Sequence, residues 1–354
     1  MVCRKHVMNQ EFCHSTTVTV AAIIPGNLVT LNSNNSIGMY TYNGTQYYLR
    51  HDPKAESSPW EIIMVLLITI IMFVGNLTVI LVFIIYKELR SRQTNYLILN
   101  LAVTDWLLSI LVMPFHVTEM ITGNGWYFGY IWCVIWLSLE NWLNFASILS
   151  LIVISLDRYI YIQHPYQYIH YITFRTILIE IVLVWLLSLA CVFIPGVSGS
   201  TSVDEFIMLS QHNICEPLWE EWWTIISFIL GFVIPFIVLS YTNIRITCTV
   251  KKQSRQICAQ MQGNAVYRAN IRKSQFKSIK TTVILVVLFC VMWLPYYITT
   301  LLYSLEYNSE IVAELYYYFS ILTYCNSAIN PFMYAHNKDF RKAYNKFMMC
   351  KFKN

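Results

Sequence analysis

The chain alternates between long apolar runs and short polar breaks. Seven runs, at 59–86, 94–122, 130–160, 174–196, 222–249, 278–305 and 311–335, are long enough to cross a bilayer as helices and too long for barrel strands. Ahead of them, residues 1–57 mix Ser, Thr, Asn and Tyr without a clear period and predict a mostly disordered tail. Behind them, Phe340, Tyr344 and Phe347 recur at helical spacing among lysines and an arginine, which predicts a short amphipathic helix on the membrane surface. The expected fold is an all-α membrane protein. It has an N-terminal tail (1–57), a seven-transmembrane helix bundle (58–336), and an amphipathic cytoplasmic helix with a short end (337–354).

The third run carries the most informative polar positions. Glu140, Asn144, Ser147 and Arg158 are separated by 4, 3 and 11 residues and fall on one helical face. Glu140 and Arg158 stand about 27 Å apart along such a helix, so one polar stripe runs from near one membrane surface to the other. An ionisable side chain inside a span is expensive and marks function.

Composition sharpens the class. Of 354 residues 56% are hydrophobic and only 12% charged, about half the charge of a soluble domain. The net charge of +5 reports topology, not nucleic-acid affinity. Twenty of the 24 Lys and Arg residues fall on one side of the seven runs, nine of them between Arg245 and Lys280, where no acid occurs. The positive-inside rule then places the N-terminus outside the cell and the C-terminus in the cytoplasm. Asn34 and Asn43 head glycosylation sequons in the outer tail, while Asn76 heads one buried in an apolar run that should stay unmodified. A cleaved signal peptide is weakly supported, because VTVAAII is short and runs into Pro25-Gly26. The ten cysteines lack paired metal spacing. Cys350 is a palmitoylation candidate or a plain reduced thiol, and pairing of Cys3 with Cys13 is left open. No HExxH cluster or nucleophile motif points to an enzyme, and no internal repeat points to a transporter.

The order of motifs resembles the rhodopsin-like (class A) G protein-coupled receptors over nearly all of residues 59–350. The carriers are Gly75-Asn76, LAVTD ending at Asp105, Cys133, Asp157-Arg158-Tyr159, Trp185, Pro235, Phe289, Trp293-Leu294-Pro295 and Asn330-Pro331-Phe332-Met333-Tyr334. Within that family Trp293-Leu294-Pro295-Tyr296, Tyr324-Cys325-Asn326-Ser327 and DRYIYIQHPYQY are most similar to the aminergic branch, muscarinic and histamine receptors above all. Tyr241-X-Asn243 is similar to some histamine receptors.

The resemblance implies a plasma-membrane receptor that binds a small extracellular ligand, a histamine- or acetylcholine-like amine, and activates a heterotrimeric G protein, with arrestin and membrane lipids as further partners. The alternatives are a peptide or lipid receptor, or an orphan that signals without ligand. The implied ligand residues are Glu140, Asn141, Asn144, Ser227, Trp293, Tyr296, Tyr297 and Tyr324. A desolvated carboxylate ringed by aromatic faces suits an organic cation. Glu140 is read as the only acid in the outer half of the interior-facing stripe, with Asn141 and Asn144 as its donors and no basic residue near it. The resemblance also implies a Cys133–Cys215 disulfide. Asp105, Ser147, Asn326, Ser327 and Asn330 are expected to hold an allosteric sodium ion or a hydrogen-bonded water network. Asp157, Arg158, Tyr159 and Tyr334 are expected to serve G-protein coupling, and Trp293, Phe289, Pro235 and Ile148 to transmit between the two ends.

Some positions depart from the family. Glu140 stands where aminergic receptors have aspartate, Gly231 lacks the side chain that histamine receptors use, and Tyr297 replaces a muscarinic asparagine. Gln275 replaces the acid that restrains the arginine of the Asp-Arg-Tyr motif in many members, so ligand-free signalling is expected.

Overall fold

Pro59 opens the first helix because its missing N–H falls where no intrahelical partner exists, and the Glu61 carboxylate accepts the Ser58 N–H at 2.8 Å. This start holds in a computed structural model that describes residues 2–4, 19–24, 27–32, 38–42, 45–49, 57–123, 125–197, 215, 221–260, 284, 286–302, 310–335 and 338–349. Asn34, Asn43, Cys13, Gln275 and Cys350 lie outside the described residues.

Span one is Pro59–Ile85. Span two is Asn95–Leu111 continued by Met113–Ile121, with a bend at Val112 ahead of Pro114. Span three is Gly129–Gln163 and span four Phe174–Val197. Span five runs Glu221–Phe228, a π-helical turn Ile229–Val233, then Ile234–Gln260. Span six is described over Val286–Leu302 and span seven is Glu310–Tyr334. The amphipathic helix is Lys338–Met348. Five of these spans are long and apolar enough to cross a membrane outright. Span seven, with 25 residues, is long enough as well.

Packing inverts the rule for water-soluble helices. Trp60, Ile63, Leu67, Ile70 and Val74 form an exposed apolar stripe on span one, while Glu61, Val65, Met72, Asn76 and Val79 face inward. Lipid covers the first stripe, so burial follows polarity and close fit instead of hydrophobicity. Asn76 Nδ2 donates to the Ser327 carbonyl at 3.2 Å, and a Cβ on Gly75 would sit 2.9 Å from Pro331 Cγ. Asn100 joins three spans. Its Nδ2 donates to Ser150 Oγ at 2.9 Å and its Oδ1 accepts the Trp185 indole N–H at 2.9 Å.

The amphipathic helix forms as expected. Phe340 is fully buried, and Ala343, Tyr344 and Phe347 pack on Val82, Phe83 and Tyr86 at the inner end of span one. Two ion pairs tie it to the chain between spans one and two, Arg92–Asp339 at 2.5 Å and Lys346–Glu88 at 3.0 Å. The Glu88 carboxyl is held below its ordinary range by a backbone hydrogen bond and by Lys346.

The tail differs from the disordered reading. Val2–Arg4, Thr19–Ile24, Asn27–Asn32, Gly38–Tyr42 and Thr45–Leu49 are strands β1 to β5 of one antiparallel sheet, in the order β1-β5-β4-β3-β2. Tyr42 pairs with Thr45 across Asn43-Gly44, and Ile24 with Asn27 across Pro25-Gly26. Asn-Gly between strand-forming residues is the strongest short hairpin signal in a sequence.

Candidate ligand site

Five of the expected residues, Glu140, Trp293, Tyr296, Tyr297 and Tyr324, converge in the outer part of the bundle. Glu140 is half-buried on span three, and its Oε1 accepts a very short hydrogen bond from the phenol of Tyr324 on span seven. Trp293, Tyr297 and Tyr324 are buried, and Tyr296 is partly so. Their rings form a continuous wall. Trp293 lies 6.0 Å from Tyr297 and 6.3 Å from Tyr296, and Tyr296 lies 5.7 Å from Tyr316 on span seven. Helical phase brings Glu140 and Asn144 to one face, whereas Asn141 is turned by about 100°.

Two expected sets of contacts take another form. Asn141 Nδ2 donates to the Leu137 carbonyl of its own helix at 2.9 Å, and among the described residues no hydrogen bond joins Asn141 or Asn144 to Glu140. The donor to Glu140 is Tyr324. Ser227 likewise turns back on its own helix, to the Thr224 carbonyl at 2.9 Å.

The acid–base inventory is also wider than expected. Glu140 is accompanied in the outer half by Glu119 on span two and the buried Glu61 on span one. A histidine, His116, is among them. Its ring lies 5.6 Å from that of Tyr324, and its Nδ1 lies 3.8 Å from Glu119 Oε2. The bend of span two brings it there. The Val112 carbonyl accepts the Phe115 and His116 N–H groups and also the Trp136 indole at 3.1 Å. A signal existed in the sequence: His116 follows Asp105 by 11 residues, three turns outward on the same face.

Gly231 and Tyr297 belong together. A Cβ built on Gly231 would overlap the Tyr297 hydroxyl and come within 2.7 Å of its Cζ. The phenol fills the room that a larger residue on span five would need. Gly231→Ser is therefore expected to cost about 1–3 kcal/mol by overpacking. The loss reads as a lower melting temperature of purified receptor. Adding Tyr297→Leu, which removes both colliding atoms, should recover most of it; no loss in the single variant would refute the fit.

Beneath the ring wall, Ile148, Phe232, Phe289, Met292 and Trp293 form one buried cluster, with Phe232 and Phe289 stacked at 5.8 Å. Pro235 follows the π-helical turn, where its missing N–H leaves the ladder short of a donor.

Midway across the membrane the Asp105 carboxylate collects three donors. Ser147 Oγ and Ser327 Oγ donate to Oδ1 at 3.0 and 2.7 Å, and Asn330 Nδ2 to Oδ2 at 2.7 Å. Asn326 is buried nearby, and its Nδ2 has no partner among the described residues.

At the inner end Asp157 accepts a hydrogen bond from Tyr168 at 2.8 Å. Burial and the adjacent carboxylate push the Tyr168 phenol up, so it stays a donor. Arg158 lines a cavity with Asn243, Met292, Asn330 and Met333, open between spans three, five, six and seven. The Tyr159 ring lies 6.0 Å from Tyr241, and the Tyr334 hydroxyl is buried without a partner among the described residues.

Cys133 and Cys215 form a disulfide that ties the chain before span five to the outer end of span three.

A carboxylate beside an aromatic wall at one end, a cavity at the other and an aromatic cluster between them fit a seven-helix transmembrane receptor. The chain belongs to the 7 transmembrane receptor (rhodopsin family), whose model matches residues 75–334. It is 31% identical to the D(1B) dopamine receptor of Xenopus laevis over 78% of this chain and 66% of that one. It is also 31% identical to the histamine H2 receptor of Rattus norvegicus, over 88% and 85% of the two chains. Identity to the 5-hydroxytryptamine receptor 4 of Cavia porcellus is 30%, over 78% and 76%. The likeness extends to receptors named for amines, and the chain is a multi-pass membrane receptor and not an enzyme.

Proposed function

We infer that this receptor takes a small cationic amine on its extracellular side and activates a heterotrimeric G protein on its cytoplasmic side. The carrying observation is Glu140: a half-buried carboxylate held by Tyr324 and walled by the rings of Trp293, Tyr296 and Tyr297. It offers an ammonium a charge-assisted hydrogen bond and cation–π faces together. Relatives named for dopamine, serotonin and histamine support the same ligand class. The overlap of Gly231 with Tyr297 favours an amine whose far end needs no polar partner on span five.

An extracellular N-terminus follows from the excess of Lys and Arg in the opposite connections. Asp105, Ser147 and Ser327 supply the hard oxygen atoms that suit a sodium ion, which would hold spans two, three and seven in the resting arrangement. Pro295 in span six provides a kink about which its inner part swings out, so agonist binding shifts a two-state equilibrium. Arg158, Tyr159 and Tyr334 then meet the G protein, and arrestin uses the same opening. With Gln275 in place of an acid, ligand-free signalling is expected at measurable strength, and Gln275→Glu should lower it; silence across all G-protein classes in cells with confirmed surface receptor would contradict this.

The deciding experiment is a panel of biogenic amines on the wild type and Glu140→Asp side by side. Activation by at least one amine, with compact amines gaining potency in the aspartate variant, is the expected result. Activation by uncharged compounds alone would replace the amine with a lipid, and activation by peptide alone would replace it with a peptide.

A further inference from the structure

The cavity at the inner end has a shape and a lining that the reading above does not use. Its volume is about 190 Å³. A cavity of about 150 Å³ lined by Leu, Ile and Phe stays dry and binds benzene, so this space suits an apolar body. Its walls run from Leu151 to Ile162 on span three and from Asn326 to Met333 on span seven. Those stretches are about 16 and 10 Å of helix, so the cavity is long for its volume. Eleven lining residues are apolar, Leu239, Phe289 and Ile329 among them; four are neutral and polar, one is Arg158, and none is an acid.

The two ends of the cavity carry unanswered donors. At the inner end Arg158 is always charged. None of the ion pairs among the described residues includes it. Its neighbour Asp157 shares its field, but Asp157 accepts the Tyr168 hydroxyl at 2.8 Å and does not line the cavity. The sequence from Arg245 to Lys280 offers it no acid. At the deep end Asn326 is 7% exposed, and its Nδ2 is buried with no partner among the described residues. A lone donor in an apolar lining is costly and marks where the acceptor of a ligand fits.

We propose that this cavity binds a single-chain carboxylic acid, a medium-chain fatty acid with an oxygen function at its far end. The carboxylate pairs with Arg158 through charge-assisted hydrogen bonds. The chain lies against Leu151, Leu239, Phe289 and Ile329, and the far oxygen accepts the Asn326 amide. One chain fills the volume, whereas a phospholipid with two chains does not fit. The site stands apart from the amine chamber and does not depend on the reading of Glu140.

The test uses purified full-length receptor in phosphatidylcholine nanodiscs and a decanoate that carries a diazirine in its chain, with cross-links mapped by mass spectrometry. Label is expected on Leu151, Ile329 and Met333 in the cavity, and not only on Ile237 and Ile244, which are exposed on span five. Decanoate should displace it, and ω-hydroxydecanoate should do so about fivefold better. Decanol and decylammonium should not displace it. Arg158→Gln is expected to weaken displacement by decanoate about ten- to a hundredfold. Asn326→Leu should remove the advantage of the hydroxyl and leave decanoate unchanged. If Arg158→Gln does not fold, decanoate against decylammonium on the wild type carries the charge test. Label confined to lipid-facing residues, or displacement by decanol or decylammonium as good as by decanoate, overturns the proposal. Equal affinity of decanoate and its hydroxy form overturns the role of Asn326 and leaves its amide to water.

Discussion

Glu140→Gln is expected to weaken a cationic agonist by about a hundred- to a thousandfold while surface expression stays near wild type. The size follows from the environment. Glu140 is shielded by Tyr324 and the rings of span six, and losing a buried charged partner costs about 3–5 kcal/mol. Each 1.4 kcal/mol is about a factor of ten in affinity. Expression should survive because glutamine keeps the shape and still accepts the Tyr324 hydroxyl, and because the empty site sheds a buried charge. Glu140→Asp should retain more potency than Glu140→Gln, since it keeps the charge. Dose–response curves on surface-matched cells decide the matter. An unchanged potency for a cationic agonist in the glutamine variant removes the counter-ion role.

The second large effect is at the disulfide. Cys133 and Cys215 are both buried, in the same core cluster as Trp126, Trp136 and Tyr324. Trp126 stacks on Trp136 at 4.9 Å and donates its indole N–H to the Gly129 carbonyl, and Gly129 has the positive φ of 78° that lets span three begin there. The bridge thus fastens the chain before span five to the buried cluster of Trp126 and Trp136 at the outer end of span three. It closes a sequence separation of 82 residues, for which chain entropy alone gives about 4–5 kcal/mol. Cys133→Ala and Cys215→Ala are each expected to reduce surface receptor or ligand binding at least about tenfold. Wild-type behaviour of both would show that the bridge anchors nothing.

The spans were legible because a bilayer demands about twenty apolar residues and leaves few other readings of such runs. Which face of each span points inward was legible only where a polar residue interrupts it. Glu140, Asn76 and Asp105 declare their faces; Ile63 and Val65 on span one are equally apolar and cannot. The Asp105 cluster came through because its members sit at family motifs. The hydrogen-bond partners did not. Asn141 adjoins Glu140 in sequence but lies around the helix from it, while Tyr324, 184 residues away, makes the bond. His116 was legible only through its spacing from Asp105; the break of the helix at Val112, which carries its ring towards Tyr324, is not written in the pattern of apolar residues. The sheet in the tail was not legible because strands of 3 to 6 residues are too short to set a clear alternation.

The ties among spans one, two and seven and the amphipathic helix have a mechanical consequence. Asn76 holds the Ser327 carbonyl, Gly75 nests against Pro331, and Arg92 and Lys346 pin Asp339 and Glu88. Span six is held differently, by stacked aromatic faces and by a bond between Tyr296 and Tyr316 at its outer end. One side of the molecule thus works as a stator and the other as a rotor. Rings slide over one another at little cost, whereas ion pairs and directed hydrogen bonds must break to move. Probes placed on the stator should report a nearly constant frame, against which the travel of span six can be measured.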